Sequence, residues 1–181
     1  MVHVNLCGPM RVQTKQGKKY VLVIVDDYSR YTWVFFLATK SETSQVLIDF
    51  LKNVQVNLKK QVRIVHSDNG TEFKNNVFDT YLRSVGITHQ FSAARTPQQN
   101  GVVERRNRTL VEAARTMLDF AKLPLFLWVD AVATACFTQN RSIINKRFNK
   151  TPYELINNRP PSLKFLHVFG CRCFVLNDKM I

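Results

Sequence analysis

Cysteine is scarce: Cys7, Cys136, Cys171 and Cys173 are the only four in 181 residues. They are too few and too irregularly spaced for a disulfide framework, so free thiols in a reducing compartment are expected. Cys171-Arg172-Cys173 offers two soft ligands, yet no His or Cys pair at zinc-finger spacing accompanies it, and strand residues rather than zinc ligands are expected there. No apolar run approaches the roughly 18 residues of a membrane span, and the first residues lack the charged and apolar regions of a signal peptide. No membrane partner and no targeting signal are therefore expected. The chain also lacks a nucleophile elbow, a P-loop, a dinucleotide fingerprint, internal repeats and low-complexity tracts, which argues against serine hydrolase chemistry and against a small-molecule cofactor. His66 and His89 are expected to be core or surface histidines, neither beside a nucleophile. Acidic residues are the last shortage: 13 Asp and Glu face 26 Lys and Arg, a net charge of +13. Such a balance suits a polyanionic partner, which counterion release would favour.

What is present is a core. Hydrophobic residues make up 45% of the chain and aromatic residues 11%, enough to pack one domain of ordinary size. Val2 and Val4 read as the end of a short strand that Gly8-Pro9 breaks. Tyr20 to Val25 and Tyr31 to Leu37 are apolar runs around an Asp26-Asp27-Tyr28-Ser29 turn, the pattern of a hairpin. From Ser41, a plausible N-cap, Val46, Leu47, Phe50, Leu51, Val54 and Leu58 recur at helical spacing. A strand over Val62 to Val65, a helix over Val77 to Leu82 and a strand over Ile87 to Phe91 follow. The polar stretch up to Gly101, with Pro97, Gln98, Gln99 and Asn100, predicts a loop. From Val102 the pattern is helical, with Val103, Leu110, Ala114, Met117 and Ala121 on one face and Glu104, Arg108 and Arg115 on another. Pro124 ends that helix and a further one runs from Leu127 to about Arg147.

Two carboxylates stand in distinctive settings, Asp68 in His66-Ser67-Asp68-Asn69-Gly70-Thr71-Glu72-Phe73 and Glu104 in Pro97-Gln98-Gln99-Asn100-Gly101-Val102-Val103-Glu104-Arg105-Arg106, with thirty-five residues between them. Taken singly, Asp-Asn-Gly is an ordinary turn and Glu104 an ordinary solvated residue. Together, in this order of strands and helices, the two motifs resemble the integrase catalytic core of copia-type retrotransposons, over nearly the whole chain. That family carries an Asp, a second Asp, and a Glu thirty-five residues beyond it. Its first Asp precedes a Leu-Cys-Gly-Pro segment; this chain reads Asn5-Leu6-Cys7-Gly8-Pro9.

The resemblance implies an α/β, ribonuclease-H-like fold, a mixed five-stranded sheet flanked by helices. It implies a catalytic core over residues 1–150 and, over 151–181, the tail that follows the core in the polyprotein. The zinc module before the core and the reverse transcriptase after it are not seen, so an excised or truncated piece is expected. The implied chemistry is metal-dependent 3′-end processing and strand transfer of DNA, with Asn5, Asp68 and Glu104 at the catalytic places, Asp68 and Glu104 as ligands of Mg2+ or Mn2+, and a nuclear site of action, with cytoplasmic particles as an alternative before entry. Element ends, target DNA and further copies of the chain are the implied partners. Gln98, Asn100, Arg105, Arg108 and, more weakly, Lys74 are the implied DNA contacts. A neutral amide at position 5 offers one oxygen where a carboxylate offers two charged ones, so weakened metal binding and reduced strand transfer are expected. The alternative is a catalytically silent nucleic-acid-binding remnant. Asp26 and Asp27 cannot replace the missing carboxylate, because a strand running from Tyr20 carries them roughly 20 Å from its start; turn hydrogen bonding is their expected role.

Overall fold

The computed structural model describes residues 1–92, 97–164 and 166–174. Its five strands are β1 (Val2–Cys7), β2 (Tyr20–Asp26), β3 (Thr32–Leu37), β4 (Ile64–Ser67) and β5 (Thr88–Phe91), and its longer helices are α1 (Thr43–Leu58), α2 (Asn76–Ser84), α3 (Pro97–Phe120) and α4 (Trp128–Ser142), with a short α5 (Pro152–Asn157). The sheet order is β3-β2-β1-β4-β5. β1, β2 and β3 pair antiparallel, while β1 with β4 and β4 with β5 pair parallel. This is the mixed five-stranded sheet flanked by helices that the resemblance implied.

β2 explains why the sheet is covered on both sides. Val21, Leu22, Val23, Ile24 and Val25 are all fully buried. Alternate side chains of a strand point to opposite faces. Leu22 and Ile24 join Val2, Val4, Val65 and the α1 residues Leu47, Phe50 and Leu51 in one core; Val21, Val23 and Val25 join Val103, Leu110, Ala114 and the α4 residues Ala131, Val132 and Ala135 in the other. Since Val2 and Val4 face α1, Asn5 faces α3. No described helix is long and apolar enough to cross a membrane.

Several boundaries differ from the sequence pattern. The stretch from Pro97 to Gly101 is the start of α3 rather than a loop, with Pro97 at its first position, where a missing N–H costs nothing. Ser41 is not the cap of α1: it lies in a short 3-10 turn, Lys40–Glu42, that leads into the helix and is itself capped by Thr39, whose N–H and hydroxyl donate to the Glu42 carboxylate at 2.8 and 3.1 Å. The α4 pattern stops at Ser142, short of Arg147. β4 is shifted two residues along from Val62 to Val65, which brings its end against Asp68.

Asn140 fastens α4 to the sheet edge. Its carbonyl accepts from the Thr32 N–H at 2.9 Å and its amide donates to the Thr32 carbonyl at 2.8 Å, all buried. Removing it leaves the buried Thr32 N–H unpaired, at a cost of about 1–3 kcal/mol, while the Thr32 carbonyl keeps the Cys136 thiol at 3.2 Å. Asn140→Ala is expected to lower the Tm by roughly 4 °C or more; a calorimetric melt within a degree of the parent would show that α4 is held by packing alone.

Candidate active site

Strand register brings the first two candidate residues together. In the parallel β1–β4 pair, Val2 lies beside Val65 and His3 beside His66. Continued along β1 and one residue past the end of β4, that register sets Asp68 opposite Asn5. They face α3, as do His3 and His66, whose rings meet edge to face at 5.3 Å. Asn5 and Asp68 are both half-buried, and Glu104 is exposed on α3 next to the fully buried Val103.

One bond joins the helix to the strand. Asn107, one turn after Glu104 and 8% exposed, donates its side-chain amide to the Asn5 carbonyl at 3.0 Å. Asn107 interrupts the apolar stripe of α3 between Val103 and Leu110, which is the sequence signal that could have marked it. Its own carbonyl oxygen is buried without a partner. The single oxygen of Asn5 thus already accepts one hydrogen bond, from Asn107, and the other end of the amide is a donor that cannot ligate a cation.

The Asp68 turn is built tightly. The Asp68 carboxylate accepts from the Gly70 N–H at 2.9 Å, an Asx turn. A Cβ on Gly70 would sit 2.9 Å from the same carboxylate oxygen and 2.8 Å from Glu72 Cδ, so a side chain there would push both carboxylates aside. Beneath, Asn69 donates to the Ser92 carbonyl at 2.7 Å and Ser92 N–H donates to the Ser67 carbonyl at 2.9 Å, tying the loop to the end of β5.

Sequence reasoning missed a second arrangement. Ser67 Oγ lies 2.9 Å from His89 Nε2, and His89 Nδ1 faces Asp79 of α2 at 3.5 Å, so the expectation that His89 has no nucleophile beside it fails. This Ser-His-Asp set is not a hydrolase site, because Ser67 is fully buried and its hydroxyl donates to the Asp68 carbonyl at 2.9 Å. It props the backbone of Asp68. Nothing local in the sequence marks it, since β4, β5 and α2 assemble it.

The remaining candidates scatter around this centre. Arg105 is exposed, with Nε donating to the Gly101 carbonyl at 2.9 Å, and Arg108 is exposed on the same helix. Lys74 sits over the Phe91 ring at 5.5 Å. Gln98 and Asn100 belong to the first turn of α3, and their side chains lie outside the described residues. Asp26 and Asp27 act in the hairpin: Asp26 accepts from the Ser29 N–H and hydroxyl, and Asp27 from His3 Nε2 and Arg30. Their separation from Asn5 is smaller than the strand length alone suggested. Asn5 pairs with Val23, so Asp26 is three residues, about 10 Å, along β2.

Among the described residues, no three His, Cys, Asp or Glu side chains group closely enough to hold a metal ion. Of the three candidate positions, Asp68 and Glu104 carry charged oxygen donors and Asn5 a neutral one. Such a set fits one divalent cation held by two carboxylates and does not fit a pair of ions bridged by a third.

Residues 2–97 match the Integrase core domain family. The chain is 41% identical over 96% of its length to the retrovirus-related Pol polyprotein from transposon TNT 1-94 of Nicotiana tabacum, and 34% identical over 86% to that from transposon RE2 of Arabidopsis thaliana. It spans only 13% and 11% of those polyproteins. In fold it is similar to the HTLV-2 integrase catalytic core domain solved in complex with magnesium in a trimeric form, with a TM-score of 0.63 and 22% identity over 86% of this chain and 95% of that one. It is similar also to the simian T-cell lymphotropic virus intasome in complex with the PP2A regulatory subunit B56 gamma, with a TM-score of 0.67 and 20% identity over 97% of this chain and 59% of that one.

Two histidines give the site a pH signature. Burial, with the neighbouring His3 and His89, pushes the His66 imidazole below its ordinary range; burial pushes His89 down too, against the raising pull of Asp79. A folded state that resists protonation has its full stability above the unfolded value of about 6.5 and loses it as pH falls below that. The urea midpoint is expected to drop between pH 7 and pH 5, and His89→Gln is expected to shallow the drop. A midpoint constant over that range would contradict the burial of these rings in the folded state.

Proposed function

Because the chain belongs to the Integrase core domain family, and is a copia-type retrotransposon member of it, we propose that it is the catalytic part of a Pol polyprotein, acting on element ends and target DNA. In this proposal residues 1–150 form the core and 151–181 the segment that follows it. The chemistry is metal-dependent 3′-end processing and strand transfer, carried out by a multimer in the nucleus. The observation that supports it is the β1–β4 register, which continued one residue past β4 sets Asp68 opposite Asn5, with Glu104 on the helix that Asn107 ties to Asn5. A Mg2+ or Mn2+ ion held there would supply charge neutralisation at the phosphate. Mg2+ was found with the HTLV-2 core, whose fold this chain shares.

The chain's own residues divide the work as follows. Asp68 and Glu104 hold the ion. The Gly70 turn and the Ser67 hydroxyl fix the orientation of Asp68. Asn107 sets the distance of the Glu104 helix from β1. Gln98, Asn100, Arg105, Arg108 and Lys74 meet the DNA, where the excess of positive charge favours binding.

Asn5 limits this machinery. An Asp at position 5 would give one oxygen to Asn107 and keep a second for the ion. Asn5 has one neutral oxygen only, and it already accepts from Asn107. Reversing both amides would let Asn5 donate to the unpartnered Asn107 oxygen and free its own carbonyl, a neutral and weaker ligand. Strand transfer by this chain is thus reduced by orders of magnitude. A catalytically silent DNA-binding domain is the second possibility, and the same neutral oxygen is what favours it.

Calorimetric titration with Mn2+ is the test. Asn5→Asp is expected to raise affinity on the order of tenfold or more, through an added ligand charge, and Asp68→Asn to abolish the signal. Equal affinity of parent and Asn5→Asp would contradict the role given to position 5. Absence of heat from both would leave the silent DNA-binding domain.

A further inference from the structure

A cleft of about 350 Å3 opens beside α3, walled by Val25 and Val102 and lined by Arg30, Arg105, Arg106 and Thr109. Three guanidinium groups line it and, among the described residues, no carboxylate does. Among the described residues the one ion pair that any of them makes is Arg30 with Asp27 at 3.3 Å, and Asp27 is already shared with His3 at 3.0 Å.

Arg106 is the telling member. It is half-buried, and burial pushes its pKa down, yet its two hydrogen bonds go to neutral acceptors: the Gln139 side-chain carbonyl at 3.0 Å and the Arg30 main-chain carbonyl at 3.3 Å. Buried charges in proteins are ordinarily paired, because desolvation without a counter-charge is costly. Arg30 is held in the left-handed region, at φ 63°, which presents its carbonyl to Arg106 at the cleft. Arg105 extends the cationic surface to the rim. Thr109 donates its hydroxyl to the Arg105 carbonyl at 2.8 Å and so pins the turn rather than the ligand.

The cleft adjoins the candidate active site. Val25, on its wall, stands two residues from Val23, the partner of Asn5, about 7 Å along β2, and Arg105 directly follows Glu104. At about 3.4 Å of rise per nucleotide, that is a reach of roughly two nucleotides along one strand. We propose that the Arg30–Arg105–Arg106 cleft is an anion site that takes a backbone phosphate of the DNA strand running past Glu104. It rests on the proposed function for its ligand, and needs no metal to bind it.

The test is the salt dependence of binding to a labelled duplex, followed by fluorescence anisotropy between 50 and 200 mM salt in EDTA. Each phosphate contact contributes a slope of about −0.9 in log K against log salt. Arg105→Gln and Arg106→Gln are each expected to shallow the parental slope by about 0.9, and Arg106→Lys to keep it. Arg105 is exposed, so its variant reports even if Arg106→Gln fails to fold. Lys60→Gln, past the end of α1 and remote from the cleft, is expected to leave the slope unchanged. An unaltered slope in Arg105→Gln, or the same change in Lys60→Gln, would overturn the cleft as a phosphate site. If Asn5→Asp still bound Mn2+ in that case, the proposed function would stand without it; a parent that binds no duplex at 50 mM salt would take both down. Self-association lost in the arginine variants, with DNA slopes unchanged, would assign the cleft to an acidic side chain of a second copy and reject the phosphate.

Discussion

The hydrogen bond from Asn107 to Asn5 is the constraint on which the site depends. Among the described residues it is the one side-chain bond between α3 and β1, and it spans 102 residues of sequence. Apolar packing by Val103 and Leu110 brings the helix onto the sheet but does not fix its rotation or its slide, because apolar contact is non-directional. A hydrogen bond does both. It holds α3 to β1 at Asn5, one helical turn from Glu104. The cost is visible in the same residue, whose carbonyl oxygen is buried with nothing to accept from.

The two sides of the site are supported differently. Asp68 rests on a dense set of short-range and cross-strand bonds, from the Gly70 N–H, the Ser67 hydroxyl and the Asn69–Ser92 contact, with His89 behind Ser67. Glu104 projects from an exposed helical face, with no such frame among the described residues. The strand side is thus preorganised and the helix side is placed by one polar contact. Local stability follows the number of buried contacts and bonds that must break together, so a change at position 107 bears on Glu104 far more than on Asp68.

Legibility in the sequence follows locality. The apolar runs of β2 and β3, the helical spacing from Val46 to Leu58 and the thirty-five residues between Asp68 and Glu104 are local or arithmetical signals, and each was readable. The Gln98-Gln99-Asn100 stretch was misread as a loop because its polarity outweighed a proline at a first-turn position, where proline favours a helix. Asn107 was overlooked although a lone amide in an apolar stripe was in view. The Ser67–His89–Asp79 contact and the burial of Arg106 against Gln139 could not be read at all. They exist only after parallel strands pair and α3 packs on α4, contacts that no period or motif encodes.

A double-mutant cycle of Asn5→Ala and Asn107→Ala, read as unfolding free energy in urea, tests the central claim most directly. Residues in one hydrogen-bonded contact couple by about 0.5–3 kcal/mol, and a favourable coupling near 1 kcal/mol is the value a buried neutral amide pair gives. Two changes that simply add would mean that the helix carrying Glu104 is seated by apolar packing alone, and that Asn5 and Asn107 do not act as a unit.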